Sequence, residues 1–286
     1  MKKFKGEIIL FATALIWGLA FIFQSEATNY IGPFTFNAMR FLLGAISILP
    51  LWHFNRSNLN KNKCIKVGIL LGVCIGIGAN LQQYSIAFTS AAKTGFVTSL
   101  YMILVPFLAF IMYRRKISKF TFLAIIVAFF GLYLLCDIQN FTIQITDILL
   151  IITAIFFALQ IIFIGEYAND VNSVLLSLVQ YFTAGFISLI LALIFEDINI
   201  PNILNASSAI LYTGILSTGV AYTIQIIGQR YTNPTVASLI LSLESVIAAI
   251  GGYFILHEVL SIREVIGCIL MFIAVILAQI KKGRKS

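Results

Sequence analysis

The stretch TVASLILSLESVIAAIGGYFIL, residues Thr235 to Leu256, decides the fold class of this chain. Its 22 residues are almost all apolar, and a helix of that length crosses a hydrocarbon core of about 30 Å. Glu244, near its middle, is its one ionisable residue. A carboxylate at that depth costs on the order of 2.5–3.5 kcal/mol, so it normally faces a bundle interior or a wet cavity. The alternative is a protonated glutamic acid that bonds a neighbouring helix.

The composition of the whole chain is typical of a polytopic membrane protein. Of its 286 residues, 60% are hydrophobic and only 10% are charged, and long apolar runs recur throughout. We expect these runs to be helices, because the strands of a membrane barrel alternate polar and apolar positions. The ten predicted segments are 8–28, 34–54, 67–88, 94–113, 120–136, 147–165, 173–195, 208–228, 235–256 and 262–280.

The net charge of +8 is concentrated in short loops, which indicates membrane orientation rather than binding to nucleic acid. With the N-terminus inside, 16 Lys and Arg residues lie on the inner side, and only Lys93 and Arg263 lie outside. This asymmetry predicts a multi-pass protein of the cell membrane with both termini in the cytoplasm. Cys64 lies in a basic inner loop, so we expect it to react with an impermeant thiol reagent only from the cytoplasmic side.

The chain also repeats itself. Five helices per unit would make the second unit insert upside down, and sites of such inverted repeats lie near the bilayer midplane at the repeat interface. We therefore predict an all-α membrane fold of two inverted five-helix repeats, residues 1–143 and 144–286, around a central cavity. A shift of 143 residues lays Gly95–Ser118 over Ser238–Ser261 and Gln82 over Gln225, and a shift of 140 lays Thr13–Phe23 over Thr153–Phe163 and Arg40 over Gln180.

Three motifs resemble the drug/metabolite transporter superfamily, and within it the EamA-type exporters of amino acids and other metabolites. They are TALIWGLAF from Thr13, AAKTGFVTSLYMILVPFLAF from Ala91 and LSLESVIAAIGGYFILHEVLS from Leu241. The resemblance covers the whole chain and implies a central cavity and secondary transport, often outward. The family often has proline after the glutamate of the ninth helix. This chain has Ser245 there, so the usual proline kink is absent, while Glu258 matches the family's acidic residue in the next turn.

Arg40 is the second charge that we place inside the membrane, about 10 Å below the outer end of its helix. A lone arginine near a helix end can extend its side chain to the interface. Its planar guanidinium also suits a carboxylate, so it could bind substrate or pair with Glu244. We expect the two to neutralise one another in the empty site, and a zwitterion to compete with its ammonium at Glu244 and its carboxylate at Arg40.

Other cavity candidates follow from depth, polarity and the repeat. Trp17 is too deep for an interfacial aromatic belt, and Tyr101 is the repeat counterpart of Glu244 and should face it. The predicted substrate-binding residues are Trp17, Asn37, Arg40, Gln82, Tyr101, Gln225 and Glu244. Gln24, Gln160 and Tyr222 are weaker candidates. No catalytic residue, phosphate-binding loop or metal-ligand spacing stands out, so we expect neither a cofactor nor ATP hydrolysis.

These observations predict a secondary transporter, not an enzyme, that moves amino acids or related small organic metabolites by alternating access. Export is the expected direction, the lipid bilayer and a small-molecule substrate are the expected partners, and protons are a candidate coupling ion through Glu244. The alternative is a membrane-embedded enzyme or lipid-modifying protein, which would need a reactive cluster at interfacial depth. A helical scaffold would leave the two buried charges unexplained. The substrate, the coupling ion and a homodimeric state stay open.

Overall fold

The structure, a computed structural model, describes residues 2–54, 60–89, 91–115, 117–135, 144–255 and 260–279. Leu256 and Glu258 lie outside the described residues. So do six of the 16 inner Lys and Arg residues, namely Arg56, Lys116 and the four basic residues of the tail 281–285. The described part is built from helices, and no strand occurs within it.

Fourteen α-helices occur in the described residues, with a short 3₁₀ turn at Ala168–Asp170 and a π-helix at Tyr212–Tyr222. In chain order the α-helices are α1 (Lys2–Ala27), α2 (Pro33–Phe54), α3 (Lys61–Ile86), α4 (Ala91–Ser99), α5 (Tyr101–Tyr113), α6 (Lys119–Leu135), α7 (Ile145–Tyr167), α8 (Ser173–Phe195), α9 (Ile200–Asn205), α10 (Ser207–Leu211), α11 (Thr223–Gln229), α12 (Pro234–Leu241), α13 (Glu244–Ile255) and α14 (Ile262–Gln279).

Membrane-spanning length is reached by nine helical segments within the described ranges. Some consist of two helices in line, such as Lys93–Tyr113 and Pro234–Ile255. The tenth apolar helix, α6, has 17 residues and is therefore roughly 25 Å long, at the short end of the spanning range. The predicted all-α membrane architecture of ten helices is confirmed.

Two spans that we predicted to be continuous are interrupted. α4 and α5 meet at Leu100, and α12 and α13 meet at Ser242 and Leu243. At both places the backbone forms tighter bonds to the third residue back, from Leu100 N to Val97 O and from Leu243 N to Ile240 O, each 3.2 Å long. The ninth span is therefore interrupted without the family's proline. The 143-residue shift lays Leu100 over Leu243, so the two interruptions occupy equivalent positions.

The eighth span contains the π-helix, which the sequence analysis did not predict. The wider helix presents backbone atoms to α1: Trp17 Nε1 donates to Ser217 O at 3.1 Å. In the reverse direction, Tyr212 Oη donates to Ile16 O, also at 3.1 Å. π-helices are rare in proteins, and those that occur are often found at functional sites. This one lies directly beside the cavity described below.

Close glycine contacts fix several helix pairs. Gly68 and Gly72 of α3 lie against α8, where a Cβ on Gly72 would touch Thr183. α6 and α14 pack mainly on one another, with Gly131 and Gly267 against each other's backbone. In lipid, such small residues allow the close backbone approach that drives helix association.

We call the end of the bundle at which α1 begins the N-terminal end. There the start of α1 lies beside Tyr231, and Arg230 Nε donates to Ala168 O at 2.9 Å. Lys63 pairs with Asp170 at 2.6 Å at this end. These contacts tie α1 to the segment after α11, and tie both that segment and α3 to the turn after α7.

The opposite end of the bundle is tied by two further carboxylates. Asp147 at the start of α7 pairs with Lys93 of α4 at 2.7 Å. Glu196 accepts from the backbone N–H groups of Phe34 and Thr35 at 2.8 Å each, at the start of α2. An acidic side chain at a helix N-terminus satisfies N–H groups that have no partner within the helix.

Cys64 does not lie in an exposed loop. It belongs to the first turn of α3, is 0% exposed, and its sulfur accepts from Asn172 N at 3.4 Å. The expected reaction of Cys64 with an impermeant reagent is therefore wrong, because the thiol is buried between α3 and the start of α8. Lys61, three residues earlier, is exposed.

Candidate functional site

A cavity lies among the helices, bounded chiefly by α1, α7 and the π-helix, with single side chains from α2, α3, α5, α11 and α13. Six of the seven predicted site residues line it: Trp17, Arg40, Gln82, Tyr101, Gln225 and Glu244.

Ten of the lining positions form five pairs that the sequence repeat relates. The shift of 140 residues relates three pairs on α1 and α7, and the shift of 143 relates the other two. The pairs are Trp17 with Phe157, Ala20 with Gln160, Phe21 with Ile161, Gln82 with Gln225, and Tyr101 with Glu244. Both halves of the chain thus line the cavity with the same positions.

Glu244 begins α13 and Tyr101 begins α5, each directly after the interruption of its span. Tyr101 Oη donates to Glu244 Oε1 at 3.0 Å, so the predicted facing of these residues is confirmed. Beside them, the hydroxyl oxygens of Ser99 and Ser245 lie 2.8 Å apart. The interruptions therefore place the phenol of Tyr101 and the carboxyl of Glu244 in contact at the cavity.

Arg40 is 3% exposed and lines the cavity from α2. Its guanidinium lies over the Phe41 ring, with 4.7 Å from Cζ to the ring centroid, and Nη1 donates to Gln24 Oε1 at 3.4 Å. The Nε atom has no hydrogen-bond partner. The Phe36 ring also lies within 5.7 Å of Cζ, and a buried guanidinium held by two rings and one long bond to an amide is a strong anion-binding group.

Arg40 and Glu244 do not form the ion pair that we expected. The ion pairs within 4.0 Å among the described residues do not include either side chain, and each has a neutral hydrogen-bond partner instead, Gln24 and Tyr101. The two charges line one cavity without neutralising one another. Arg40 from α2 and Glu244 from α13 thus reach a common cavity, each with its own neutral partner.

Three glutamines from α7, α8 and α11 form a cluster, which we call the amide cluster: Gln160, Gln180 and Gln225. Gln160 Nε2 donates to Gln180 Oε1 at 3.4 Å and to Gln225 Oε1 at 3.3 Å, and Gln225 Nε2 donates back to Gln160 Oε1 at 3.2 Å. Gln160 and Gln225 line the cavity, and Gln180 lies behind them. Gln82 bonds separately, donating to Thr98 Oγ1 at 3.2 Å.

Asn37 is the predicted site residue that does not line the cavity. It is fully buried between α2 and α3, and its Nδ2 donates to Ala79 O at 2.9 Å and to Asn80 Oδ1 at 3.0 Å. The side chain therefore holds α2 against α3. Trp17, by contrast, lines the cavity, and its ring packs 4.6 Å from that of Tyr222.

Several lining residues were missed or ranked low by the sequence analysis. Phe157 and Ile161 were missed, although the repeat equates them with Trp17 and Phe21. That equivalence was the signal that would have found them. Ser217 had no such signal, because its place on the lining depends on the π-helix.

The sequence model of the EamA-like transporter family matches residues 4–136 and 144–279. An uncharacterized transporter of Archaeoglobus fulgidus is 30% identical over 287 residues, which cover 98% of this chain and 88% of that protein. The uncharacterized transporter YoaV of Bacillus subtilis is 20% identical over 269 residues, 92% of each chain. A crystal structure with 13% identity has the same fold, with a TM-score of 0.82 over 96% of each chain.

The family match covers both halves of the chain, and both relatives are named as transporters. The protein is thus a multi-pass membrane transporter of small molecules and not an enzyme, so the alternative of a membrane-embedded enzyme is set aside. Its cavity, lined by equivalent positions of two halves, is the candidate site of that transport. The chain belongs to the EamA-like transporter family.

Proposed function

We propose that this protein is a secondary transporter that exports amino acids or related zwitterionic metabolites across the cell membrane by alternating access. The cavity lined by Arg40 and Glu244 is the substrate site of this proposal. Arg40 binds the substrate carboxylate, and Glu244 binds its ammonium group. Trp17, Tyr101 and the amides complete the site.

One observation carries this proposal: Arg40 and Glu244 line the same cavity and have no ionic partner within 4.0 Å among the described residues. Burying a charge without a partner is costly, and a bound group of opposite charge removes much of that cost. Arg40 needs an anion, and Glu244 is free to accept a cation. A zwitterion supplies both charges in one small molecule, whereas a simple anion or cation supplies only one.

Alternating access is supported by the repeat. The family's sequence model matches the two halves separately, at 4–136 and 144–279, and five pairs of equivalent positions line the cavity. We propose that residues 1–143 and 144–286 are inverted repeats that rock about this site, as in other transporters built from such repeats. The excess of Lys and Arg in the inner loops supports cytoplasmic termini.

Export and proton coupling are tested together in whole cells and liposomes. Cells that overproduce the protein should enrich the medium in one or more amino acids, and cells that overproduce Glu244→Gln at equal membrane level should not. In liposomes, exchange by the wild-type protein should vary with pH, and the residual exchange by Glu244→Gln should not, if Glu244 carries the coupling proton.

The matched control is Gly95→Ala, because a Cβ at Gly95 meets no atom within 4 Å. This variant should behave as the wild type in both assays. If cells that overproduce the wild-type protein enrich the medium in no amino acid relative to cells that do not, the export proposal is wrong. If Glu244→Gln keeps the pH dependence, Glu244 does not carry the proton.

A further inference from the structure

The two ends of the cavity differ in chemistry. Arg40 lies about 10 Å from the opposite end of the bundle, seven residues after the start of α2. Gln160 lies about 10 Å from the N-terminal end, seven residues before the end of α7. In a core of about 30 Å, roughly 10 Å separates the two along the membrane normal. A substrate held by its carboxylate at Arg40 can therefore reach the amide cluster with its side chain.

The amide cluster is rich in hydrogen-bond donors that lack strong acceptors. Its three bonds are 3.2–3.4 Å long, at or beyond the usual upper limit for N–H···O bonds. Gln180 is fully buried, and its Nε2 has no partner. Both hydrogens of Gln160 Nε2 are used, but Gln225 Nε2 donates only one of its two, so the cluster can bond an additional carbonyl or hydroxyl oxygen.

Packing of the shared fold does not require a glutamine at this place. The first half has Ala20 at the position equivalent to Gln160, and both residues line the cavity. Phe157 and Ile161 are the neighbouring lining residues of α7, and both are apolar. The lining from α7 and α11 thus combines apolar walls with amides and has no ionisable group. A charged side chain would lose its water there without a counter-charge.

We propose that the amide cluster binds the end of the substrate's side chain, so that the preferred substrates are amino acids with an uncharged, hydrogen-bonding side chain such as a carboxamide or hydroxyl. This inference rests on the proposed function. Gln160 and Gln225 are the specificity-determining residues: they turn from one another to the ligand, which supplies both a donor and an acceptor if it is a carboxamide. A hydrocarbon side chain of the same shape fills the space but leaves these amides without a new partner.

The test compares side chains of similar shape in the full-length protein, purified in detergent. Dissociation constants are measured for glutamine against methionine, asparagine against leucine, and threonine against valine. The wild-type protein should bind the polar member of each pair about tenfold more tightly, because a site built for a hydrogen bond rejects an analogue that lacks it. In the double variant Gln160→Leu/Gln225→Leu this ratio should fall to about one.

Gln229→Leu is the matched control, one turn from Gln225 on α11. Gln229 is buried and donates to Ile161 O at 2.8 Å, but it does not line the cavity. It should keep the wild-type ratio. Because the wild-type panel requires no substitution, it decides the question even where a variant does not fold.

The outcomes separate this inference from the proposed function. If the wild-type protein binds these amino acids but does not prefer the polar members, the role of the amide cluster is wrong and the proposed function stands. The same holds if the double variant keeps the wild-type ratio. If none of the six amino acids binds to the wild-type protein, the proposed function fails and this inference fails with it.

Discussion

Tyr101 Oη donates a 3.0 Å hydrogen bond to Glu244 Oε1, and these residues occupy equivalent positions of the two halves. Each is the first residue of the helix that follows an interruption, α5 for Tyr101 and α13 for Glu244. Both line the cavity. The contact therefore joins the two halves at their equivalent interruptions and fixes the orientation of the carboxyl group that we assign to the substrate's ammonium.

The Tyr101–Glu244 bond should contribute to stability separately from transport. Tyr101→Phe leaves a buried carboxyl without this donor and should lower the free energy of unfolding by about 1–3 kcal/mol. Glu244→Gln retains an acceptor oxygen for Tyr101, so its stability should stay near that of the wild type while export is lost. Denaturant unfolding in detergent checks both. Tyr253→Phe, exposed on the same α13, is the control, and a loss equal to that of Tyr101→Phe would contradict the assignment.

Gly18 should be intolerant of any side chain. A Cβ at this position would lie 2.5 Å from Ile247 Cβ and 2.6 Å from Glu244 O, so Gly18→Ala would force α1 away from α13. We expect a loss of about 1–3 kcal/mol from overpacking and a weaker affinity for substrate, because Trp17 is its neighbour. Gly95→Ala makes the same change where a Cβ meets no atom within 4 Å, and it should be close to neutral. Equal stability of the two variants in thermal unfolding would rule out this packing.

The ion pairs at the two ends of α7 should differ in strength. In the Lys93–Asp147 pair the side chains are 14% and 9% exposed, whereas in the Lys63–Asp170 pair they are 37% and 58% exposed. Asp147→Asn should cost about 3 kcal/mol, as for a largely buried pair that loses one partner. Asp170→Asn should cost at most about 1 kcal/mol, because exposed pairs contribute little. Unfolding of both variants under identical conditions measures the two losses of stability. A larger loss for Asp170→Asn than for Asp147→Asn would contradict this prediction.

Membrane orientation is tested with introduced cysteines, since Cys64 is buried. Lys61→Cys and Asn29→Cys each place a thiol at an exposed position, at the N-terminal and opposite ends of the bundle respectively. In intact cells an impermeant thiol reagent should label Asn29→Cys and should label Lys61→Cys only after the membrane is opened. The parent protein under the same two conditions gives the background. Labelling of Lys61→Cys in intact cells would place the termini outside.

Most of the cavity-lining residues that we predicted correctly followed from the sequence repeat. It paired Tyr101 with Glu244 and Gln82 with Gln225, and the structure brings all four to one cavity. Hydrophobic segments predicted the ten helices because continuous apolar length alone decides what crosses a membrane. These features depend on composition and position, which can be read along a single chain.

What could not be predicted depends on contacts between helices. The interruptions at Leu100 and Leu243 replace ordinary helical bonds by tighter ones, and apolar sequence gives no sign of that change. We expected Arg40 to pair with Glu244, but its guanidinium lies over the Phe41 ring. Predicting that contact requires the rotamers of Arg40 and Phe41, which the sequence does not give. We predicted that Asn37 lines the cavity because it is polar, but its amide donates hydrogen bonds to Ala79 and Asn80 of α3 instead.

The central claim is that Arg40 and Glu244 bind opposite charges of one substrate. The most direct measurement is the dissociation constant of three compounds: alanine, ethylamine, which lacks the carboxylate, and propanoate, which lacks the ammonium. Each is measured for the wild-type protein, Arg40→Gln and Glu244→Gln. The wild-type protein should bind alanine at least about tenfold more tightly than either analogue, a difference of about 1.4 kcal/mol.

Each variant should lose one discrimination and keep the other. Arg40→Gln should no longer distinguish alanine from ethylamine, because the carboxylate has lost its partner, and Glu244→Gln should no longer distinguish alanine from propanoate. If both variants bind all three compounds with the wild-type pattern of affinities, Arg40 and Glu244 do not bind the charges of the substrate, and the account of this site is wrong.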